Sequence, residues 1–104
     1  MENRSKAQTF IGFAIKARKC KIGTNAVETL KKAHLVIVCK SASENTKKQA
    51  NKLADKFNCP LLTTKEQTLE QLTYKENAKV MAVADFALAK AILENSQDDF
   101  IARN

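Results

Sequence analysis

The residues best suited to chemistry lie in a basic segment that leads into a turn. The cationic side chains are Lys16, Arg18, Lys19 and Lys21, and the turn residues after them are Gly23, Thr24 and Asn25. Cations followed by the free N–H groups of a helix start suit a phosphate-bearing partner, since both present positive charge. Gly23 lets the backbone approach a ligand closely, and the Asn25 amide can both donate to and accept from a base edge. The pattern predicts contact with RNA, unless Gly23 only forms a turn and Asn25 only caps a helix, with Glu28 completing a capping box.

The uneven placement of charge along the chain supports a polyanionic partner. The 104 residues include 18 Lys plus Arg and 11 Asp plus Glu, for a net charge of +7 and a pI near 9.5. Residues 1 to 52 hold 12 basic and 3 acidic side chains, whereas residues 53 to 104 hold 6 and 8. Many weak contacts with phosphates add up, which favours nucleic acid or an anionic membrane surface. A solvated surface that only confers solubility explains the same charge.

Groups that would indicate an enzyme or a metal site are few. The chain has one histidine, His34, and two glycines, and it contains no glycine-rich phosphate loop, serine elbow or histidine metal motif. We interpret His34 as structural. Asp85 follows a predicted strand, where α/β enzymes place active-site residues, but a helix N-cap explains it better. We therefore predict no catalytic residues, no metal and no cofactor.

The cysteines and the apolar runs bear on the compartment. Cys20, Cys39 and Cys59 are odd in number and have no metal-ligand spacing, which is typical of buried thiols in a reduced cytosol. The N-terminus is polar and lacks a signal-type apolar run, and the longest apolar stretch, residues 35 to 39, is too short to cross a bilayer. We expect a cytoplasmic monomer that has no membrane partner.

The elements that must position the basic segment alternate between helix and strand. The apolar spacing and capping residues predict helices at residues 5 to 17, 25 to 33, 44 to 57 and 85 to 94, with a further helix opening at a capping box in residues 64 to 67. Strands are predicted at residues 19 to 23, 35 to 39, 61 to 63 and 80 to 84, and residues 95 to 104 form a polar tail. The alternation favours one α/β domain over residues 1 to 104, whose core spans about 5 to 94 and whose helices cover both faces of a parallel or mixed sheet.

Three segments, in order, resemble a known family. Residues 11 to 19 read IGFAIKARK, residues 38 to 48 read VCKSASENTKK, and residues 80 to 93 read VMAVADFALAKAIL. They are similar to the L-G-L-A-x-R-A-G-K opening, the D-A-S-E-N-T-x-K loop and the closing V-A-V-x-D-x-x-x-A-K strand and helix of the bacterial kink-turn-binding ribosomal proteins of the 7Ae/30e type. The resemblance covers roughly residues 8 to 94.

The resemblance implies a three-layer α/β/α sandwich with a four-stranded mixed sheet that binds structured RNA, as part of the ribosome or another ribonucleoprotein. In that family RNA contacts the turn that opens the second helix and a loop before the last strand. The first contact corresponds to Gly23, Thr24 and Asn25, with phosphate contacts from Lys19 and Lys21 beside it. The second corresponds to about residues 74 to 77, where Tyr74 would stack on a base and Lys75 would meet a phosphate.

The chain departs from the family's pattern at several points: Ser41 replaces an acidic residue after the central strand, the stretch between Asn25 and Leu35 is about three residues shorter, the second loop lacks the family's glycines, and two positions after Asn25 differ. Ala26 stands where the family has an acidic residue, and Thr29 stands where it has lysine. Both family residues belong to the readout of sheared G·A pairs. The departures leave two functions open. One is RNA binding with kept or altered kink-turn specificity, and the other is a protein-interaction module of the same fold.

Overall fold

The computed structural model describes residues 5–97 and 99–102, and within these ranges the chain forms five helices and five strands. The helices are α1 (Lys6–Lys16), α2 (Thr24–Glu28), α3 (Glu44–Phe57), α4 (Leu69–Thr73) and α5 (Phe86–Glu94). The strands are β1 (Cys20–Ile22), β2 (Leu35–Val38), β3 (Leu61–Thr64), β4 (Val80–Val83) and β5 (Phe100–Ala102). The predicted alternation of helix and strand, and with it the α/β class, is confirmed.

The strands form one mixed sheet in the order β1-β4-β2-β3-β5. Strand β2 lies at its centre, parallel to β3 and antiparallel to β4, while β1 and β5 pair antiparallel at the two edges. All residues of β2 and β4 are buried, as their continuous apolar sequences predict for strands covered on both faces. The sheet has five strands, so the predicted number of four is wrong.

The fifth strand comes from the segment predicted as a polar tail. Phe100 pairs with Thr64 of β3 and is only 4% exposed, whereas Ile101 beside it is 57% exposed. Three residues with one inward-facing side chain are too few to produce a recognisable alternation, so the sequence pattern misses this strand. Asp98 and residues 103–104 of the predicted tail lie outside the described residues.

Side-chain caps begin helices α3 and α5 at the residues that the sequence predicts. Ser43 accepts a hydrogen bond from the Thr46 N–H at the start of α3, and Asp85 accepts one from the Leu88 N–H at the start of α5. These bonds satisfy backbone donors that a helix start leaves unpaired. The N-cap interpretation of Asp85 is therefore confirmed.

The start of α4 differs from the prediction. The capping box is formed by Thr68 and Gln71, four residues after the predicted box, because the sequence TKEQTLEQ contains the same spacing twice. Thr64 is not available to cap a helix. It is the last residue of β3, it is buried, and its hydroxyl accepts a hydrogen bond from the Lys40 N–H.

The helices pack in two sets. Helix α1 contacts α4 and α5, and it buries Ala7, Ile11 and Ala14, which share one helical face. Helix α2 contacts α3 and the strands β1 and β4, while α3 packs against β2 and β3. Among residues 5–97 and 99–102 there is no helix with the length and apolar character needed to span a membrane.

Candidate nucleic-acid interface

Strand β1 and the turn after it set the position of the predicted interface. The Gly23 N–H donates to the Val80 carbonyl at 2.7 Å, so the turn lies beside the start of β4 and the loop that precedes it. Gly23 has φ 97° and ψ 144°, a conformation that L-residues rarely adopt, and α2 begins at the next residue. The sheet therefore brings together the two loops that the resemblance assigns to RNA contact.

The edge position of β1 leaves backbone groups free for a ligand. Gly23 and Val80 share a backbone hydrogen bond, and so do Lys19 and Ala84. Hydrogen-bonded pairs alternate along an antiparallel ladder, so the backbone groups of Lys21 point towards its partner Ala82. The N–H and C=O groups of Cys20 and Ile22 consequently point away from β4. They add hydrogen-bonding capacity to the outer edge of the sheet.

A groove of about 400 Å³ runs along this edge. It is lined by Ile15, Arg18, Cys20, Lys21, Ile22, Ala26 and Lys75. Three cations predicted from sequence therefore meet here, although they come from the end of α1, from β1 and from the loop after α4. Arg18 adopts a left-handed conformation with φ 57°, which ends α1 and turns the chain into β1. The groove is open and positively charged, as a site for a phosphodiester backbone must be.

The charges in the groove also act on Cys20. Burial raises the pKa of the Cys20 thiol, while the nearby ammonium groups of Lys75 and Lys21 act in the opposite direction. The raised pKa keeps this thiol protonated at neutral pH, so it does not add a negative charge to the groove. The Cys20 side chain therefore forms a small apolar part of the groove lining.

The remaining predicted residues surround the groove without lining it. Lys16 and Lys19 are exposed at the end of α1 and the start of β1, and the Lys19 carbonyl accepts from the Ala84 N–H, at the opposite end of β1 from Gly23. Asn25 is exposed in the first turn of α2, and Thr24 is half-buried beside it. Tyr74 is 73% exposed and ends α4 with φ 60°.

The prediction that Asn25 caps α2 is wrong. Gly23 is the N-cap residue, no side chain caps this helix, and Asn25 is already helical. The proposed capping box with Glu28 does not form, because the helix begins earlier than its sequence pattern indicates and ends at Glu28 rather than near residue 33. The amide of Asn25 is therefore exposed, and helix capping does not explain why asparagine stands at this position.

The two positions after Asn25 that differ from the motif of the resembled family have clear structural positions. Ala26 lines the groove, where its methyl group leaves room between the cations and brings no negative charge. Thr29 is the C-cap of α2, and its hydroxyl donates to the Ala26 carbonyl at 2.6 Å. The Thr29 side chain, at the position where the resembled family has lysine, is thus hydrogen-bonded within its own helix.

A hydrogen-bond cluster missed by the sequence pattern holds the loop that carries Lys75. One carboxylate oxygen of Glu70 accepts from the Lys79 ammonium at 2.7 Å, and the other accepts from the Asn77 N–H at 2.9 Å. The Lys79 ammonium also donates to the Ser41 hydroxyl at 3.0 Å. Residues 74 to 79 are therefore held against α4 and against the loop after β2, and the charge of Lys79 is balanced by Glu70.

This cluster predicts a pH dependence of stability. The hydrogen bond from Lys79, with that from Asn77, lowers the pKa of Glu70 below its ordinary value of 4.5, and the bond to Glu70 raises the pKa of Lys79 above 10.5. The stabilisation is thus present between these values. It is lost in acid as the pH falls through the folded pKa of Glu70, and in base as the pH rises through that of Lys79.

We expect Glu70→Gln to flatten the acid side of the stability profile. Urea unfolding at several values between about pH 3 and pH 6 should show a smaller loss of stability on acidification than in the parent chain. Glu76→Gln is the matched control, since it removes the same charge from an exposed position in the same loop. Equal flattening by both variants would contradict a specific role for Glu70.

The two glycines should respond to alanine with opposite signs. A Cβ at Gly23 meets no atom within 4 Å, so Gly23→Ala is destabilising only through its positive φ, by about 1–3 kcal/mol. Gly12 lies inside α1 and its Cβ also meets open space, so Gly12→Ala should stabilise by about 0.5–1 kcal/mol. Chemical unfolding of both variants tests this, and a neutral Gly23→Ala would show that the turn relaxes to another conformation.

Asp85 and His34, the two residues considered for catalysis, both have contacts within the fold. The Asp85 carboxylate receives the Leu88 N–H at 2.8 Å, and the His34 ring packs edge-on against Phe86 with centroids 5.5 Å apart. Within residues 5–97 and 99–102 there is no cluster of three or more His, Cys, Asp or Glu side chains that could hold a metal ion.

Comparisons with known proteins support the fold. No protein-family model matches the chain, and no curated protein is similar to it in sequence. A solved structure of a protein with unknown function from Bacillus halodurans is similar, with a TM-score of 0.75 and 22% identity over 90% of this chain and 99% of that chain. The match shows that the α/β arrangement occurs in a second protein of known structure.

Proposed function

We propose that this protein is a non-enzymatic binder of structured RNA, of the kind found in ribosomes and other ribonucleoproteins. The observation that carries the proposal is the groove in which Arg18, Lys21 and Lys75 converge beside the turn at Gly23. Three cations from separate elements, with no acidic side chain among the lining residues, suit the regular negative charge of an RNA backbone.

Some of these residues would contribute to affinity and others to the recognition of a base. The three groove cations would contact phosphates, and the outward-facing backbone N–H groups of β1 would add neutral donors. Asn25 would read a base edge from the first turn of α2, and the exposed ring of Tyr74 would stack on an unpaired base. Because Ala26 and Thr29 lack the ionic groups of the kink-turn motif, we expect affinity to depend more on phosphate contacts than on base readout.

We also propose the three-layer arrangement of the kink-turn-binding ribosomal proteins for this domain. Helix α1 packs with α4 and α5, whereas α2 packs with α3, and both sets contact the central strands. One set on each face of the five-stranded sheet would bury β2 and β4 on both sides, in agreement with their complete burial.

A titration of RNA tests the proposal. A kink-turn RNA and a duplex of equal length without the internal loop are titrated at several salt concentrations. We expect binding of at least one RNA, with an affinity that falls steeply with salt because several counterions are released. Preference for the kink-turn would show that its specificity is kept, and equal affinity would show that it is lost. Absence of binding to either RNA and to ribosomal RNA at low salt would reject the proposal.

Asn25→Ala tests base readout within this function. We expect affinity to fall by about 5- to 150-fold, equivalent to about 1–3 kcal/mol, while stability stays within about 0.5 kcal/mol of the parent because Asn25 caps nothing. Asn45→Ala is the matched control, since Asn45 is exposed and is likewise the second residue of its helix. Equal affinity losses in the two variants would contradict a reading role for Asn25.

The alternative is a protein-interaction module of the same fold. It is favoured by the motif departures at Ala26 and Thr29 and by the open edge of β1, which could accept a strand from another protein. Pull-down from cytosol before and after ribonuclease treatment separates the two functions. Partners that disappear after treatment support RNA binding, whereas partners that persist support protein interaction.

A further inference from the structure

A second cavity, larger than the groove, lies at the end of the sheet opposite the turn at Gly23. It forms where β2 and β3 begin and β4 ends, whereas the turn at Gly23 lies where β4 begins. Its volume is about 670 Å³, within the usual range for small-molecule sites. The residues that define its chemistry are Lys31, Lys32, His34, Lys56, Phe86 and Lys90.

Positively charged side chains surround this cavity. Its four lysines come from the segment before β2, from α3 and from α5, and no Asp or Glu is among the lining residues. Lysines gathered from three parts of the chain around one concave site are unlike a charge run on a single solvated helix face. The complementary ligand carries an anionic group.

An aromatic surface lies among these lysines. Phe86 is 64% exposed, and the ring of His34 supports it edge-on at a centroid distance of 5.5 Å and an interplanar angle of 82°. Phe57, Pro60 and Leu93 extend the apolar lining. A flat aromatic ligand would gain by stacking on Phe86, and a bare phosphate or sulfate ion would leave this surface unused.

The walls of the cavity are held by backbone hydrogen bonds. The His34 N–H donates to the Val83 carbonyl at 2.8 Å, and the Val36 N–H donates to the Pro60 carbonyl at 3.0 Å. Asn58 ends α3 with φ 52°, so the chain reverses directly into the lining residues that precede β3. The site is therefore largely formed before a ligand binds, which reduces the entropy lost on binding.

We infer that this cavity binds a nucleoside phosphate, with the base stacked on Phe86 and the phosphate held by the lysines. The same chemistry is offered by a free mononucleotide and by an unpaired nucleotide of an RNA strand. The inference does not depend on RNA binding at the β1 groove, because the two sites share no lining residue: the groove follows the edge strand β1, whereas the cavity lies where β2 and β3 begin.

Nuclear magnetic resonance titration with adenosine 5′-monophosphate tests the inference. Saturable shifts are expected at the amides of residues 31 to 34, 56 to 59 and 86 to 90. Adenosine alone and inorganic phosphate alone should each bind at least about tenfold more weakly, since each uses only half of the site. A second titration uses single-stranded hexaadenylate and distinguishes the two sources of the ligand. Tighter binding of the monophosphate indicates a free nucleotide, and tighter binding of the hexamer indicates an RNA strand. Failure of both to shift these amides overturns the inference.

Matched variants locate the binding. Phe86→Ala should weaken monophosphate or hexamer binding by about 5- to 150-fold, and Phe13→Ala, which removes another exposed phenylalanine, should leave it unchanged. The double variant Lys56→Gln with Lys90→Gln should weaken binding and reduce its salt dependence. The control, Lys48→Gln with Lys65→Gln, should leave both unchanged. Equal effects of variants and controls would overturn the inference. Retention of these shifts when Arg18, Lys21 and Lys75 are replaced separates this site from the β1 groove.

Discussion

Replacing Arg18, Lys21 and Lys75 together by glutamine should weaken RNA binding by about 10- to 100-fold at low salt and lower the salt slope by about three counterions. The reason is that the three side chains line one groove, so a single RNA backbone passing through it can contact all of them. Each lost phosphate contact removes one released counterion, and the losses add because the charges meet the same strand.

The control must change the net charge equally without touching the groove. Lys6, Lys48 and Lys65 are exposed and lie outside the groove lining, so their triple glutamine variant provides this match. Filter binding or fluorescence anisotropy at several salt concentrations gives both affinity and slope. If both triple variants lose affinity alike, the positive charge attracts RNA without a defined site, and the groove has no special role.

Phe100→Ala should destabilise the protein by about 3–5 kcal/mol, the largest stability effect that we predict. Phe100 is 4% exposed and belongs to the main hydrophobic core, and its strand covers the edge of β3. Removing the ring leaves a cavity and weakens the pairing of Phe100 with Thr64. A loss of this size is a large share of the total stability of a domain of 104 residues.

Ile101→Ala provides the comparison within the same strand. Ile101 pairs with Thr63 but is 57% exposed, so its replacement should cost less than about 1 kcal/mol. Urea unfolding followed by circular dichroism gives both values when the transitions are two-state. Similar small losses for Phe100→Ala and Ile101→Ala would show that β5 is not a stable part of the sheet in solution.

Loss of β5 has a further structural consequence. Strand β3 would then become the edge of the sheet and expose unpaired backbone groups, which promote association between chains. In the Phe100→Ala variant we expect faster amide exchange at the β3 residues that face β5, before any global unfolding. Strands β2 and β4 should keep their protection, because they are paired on both sides.

Local sequence patterns were sufficient for elements whose formation depends on near neighbours. The continuous apolar residues of β2 and β4 predict buried strands, and Ser43 and Asp85 mark the starts of α3 and α5. In both cases the determining interactions lie within a few residues or depend on hydrophobicity alone. The start of α2 was not predicted correctly, because a glycine N-cap has no side chain to signal it.

The sequence by itself determined that this is an α/β protein with a positively charged N-terminal half, because composition and local periodicity contain that information. Only the tertiary structure decided which charges act together. Lys75 lies 57 positions after Arg18, yet both line one groove, because the antiparallel pairing of β1 with β4 places the loop before β4 beside the turn after β1. The same dependence on strand order brings Lys90 and Phe86 to the cavity near His34. Distances along a chain do not set distances in space. The number of basic residues could therefore be read from the sequence, while their grouping around one groove and one cavity followed from the sheet topology.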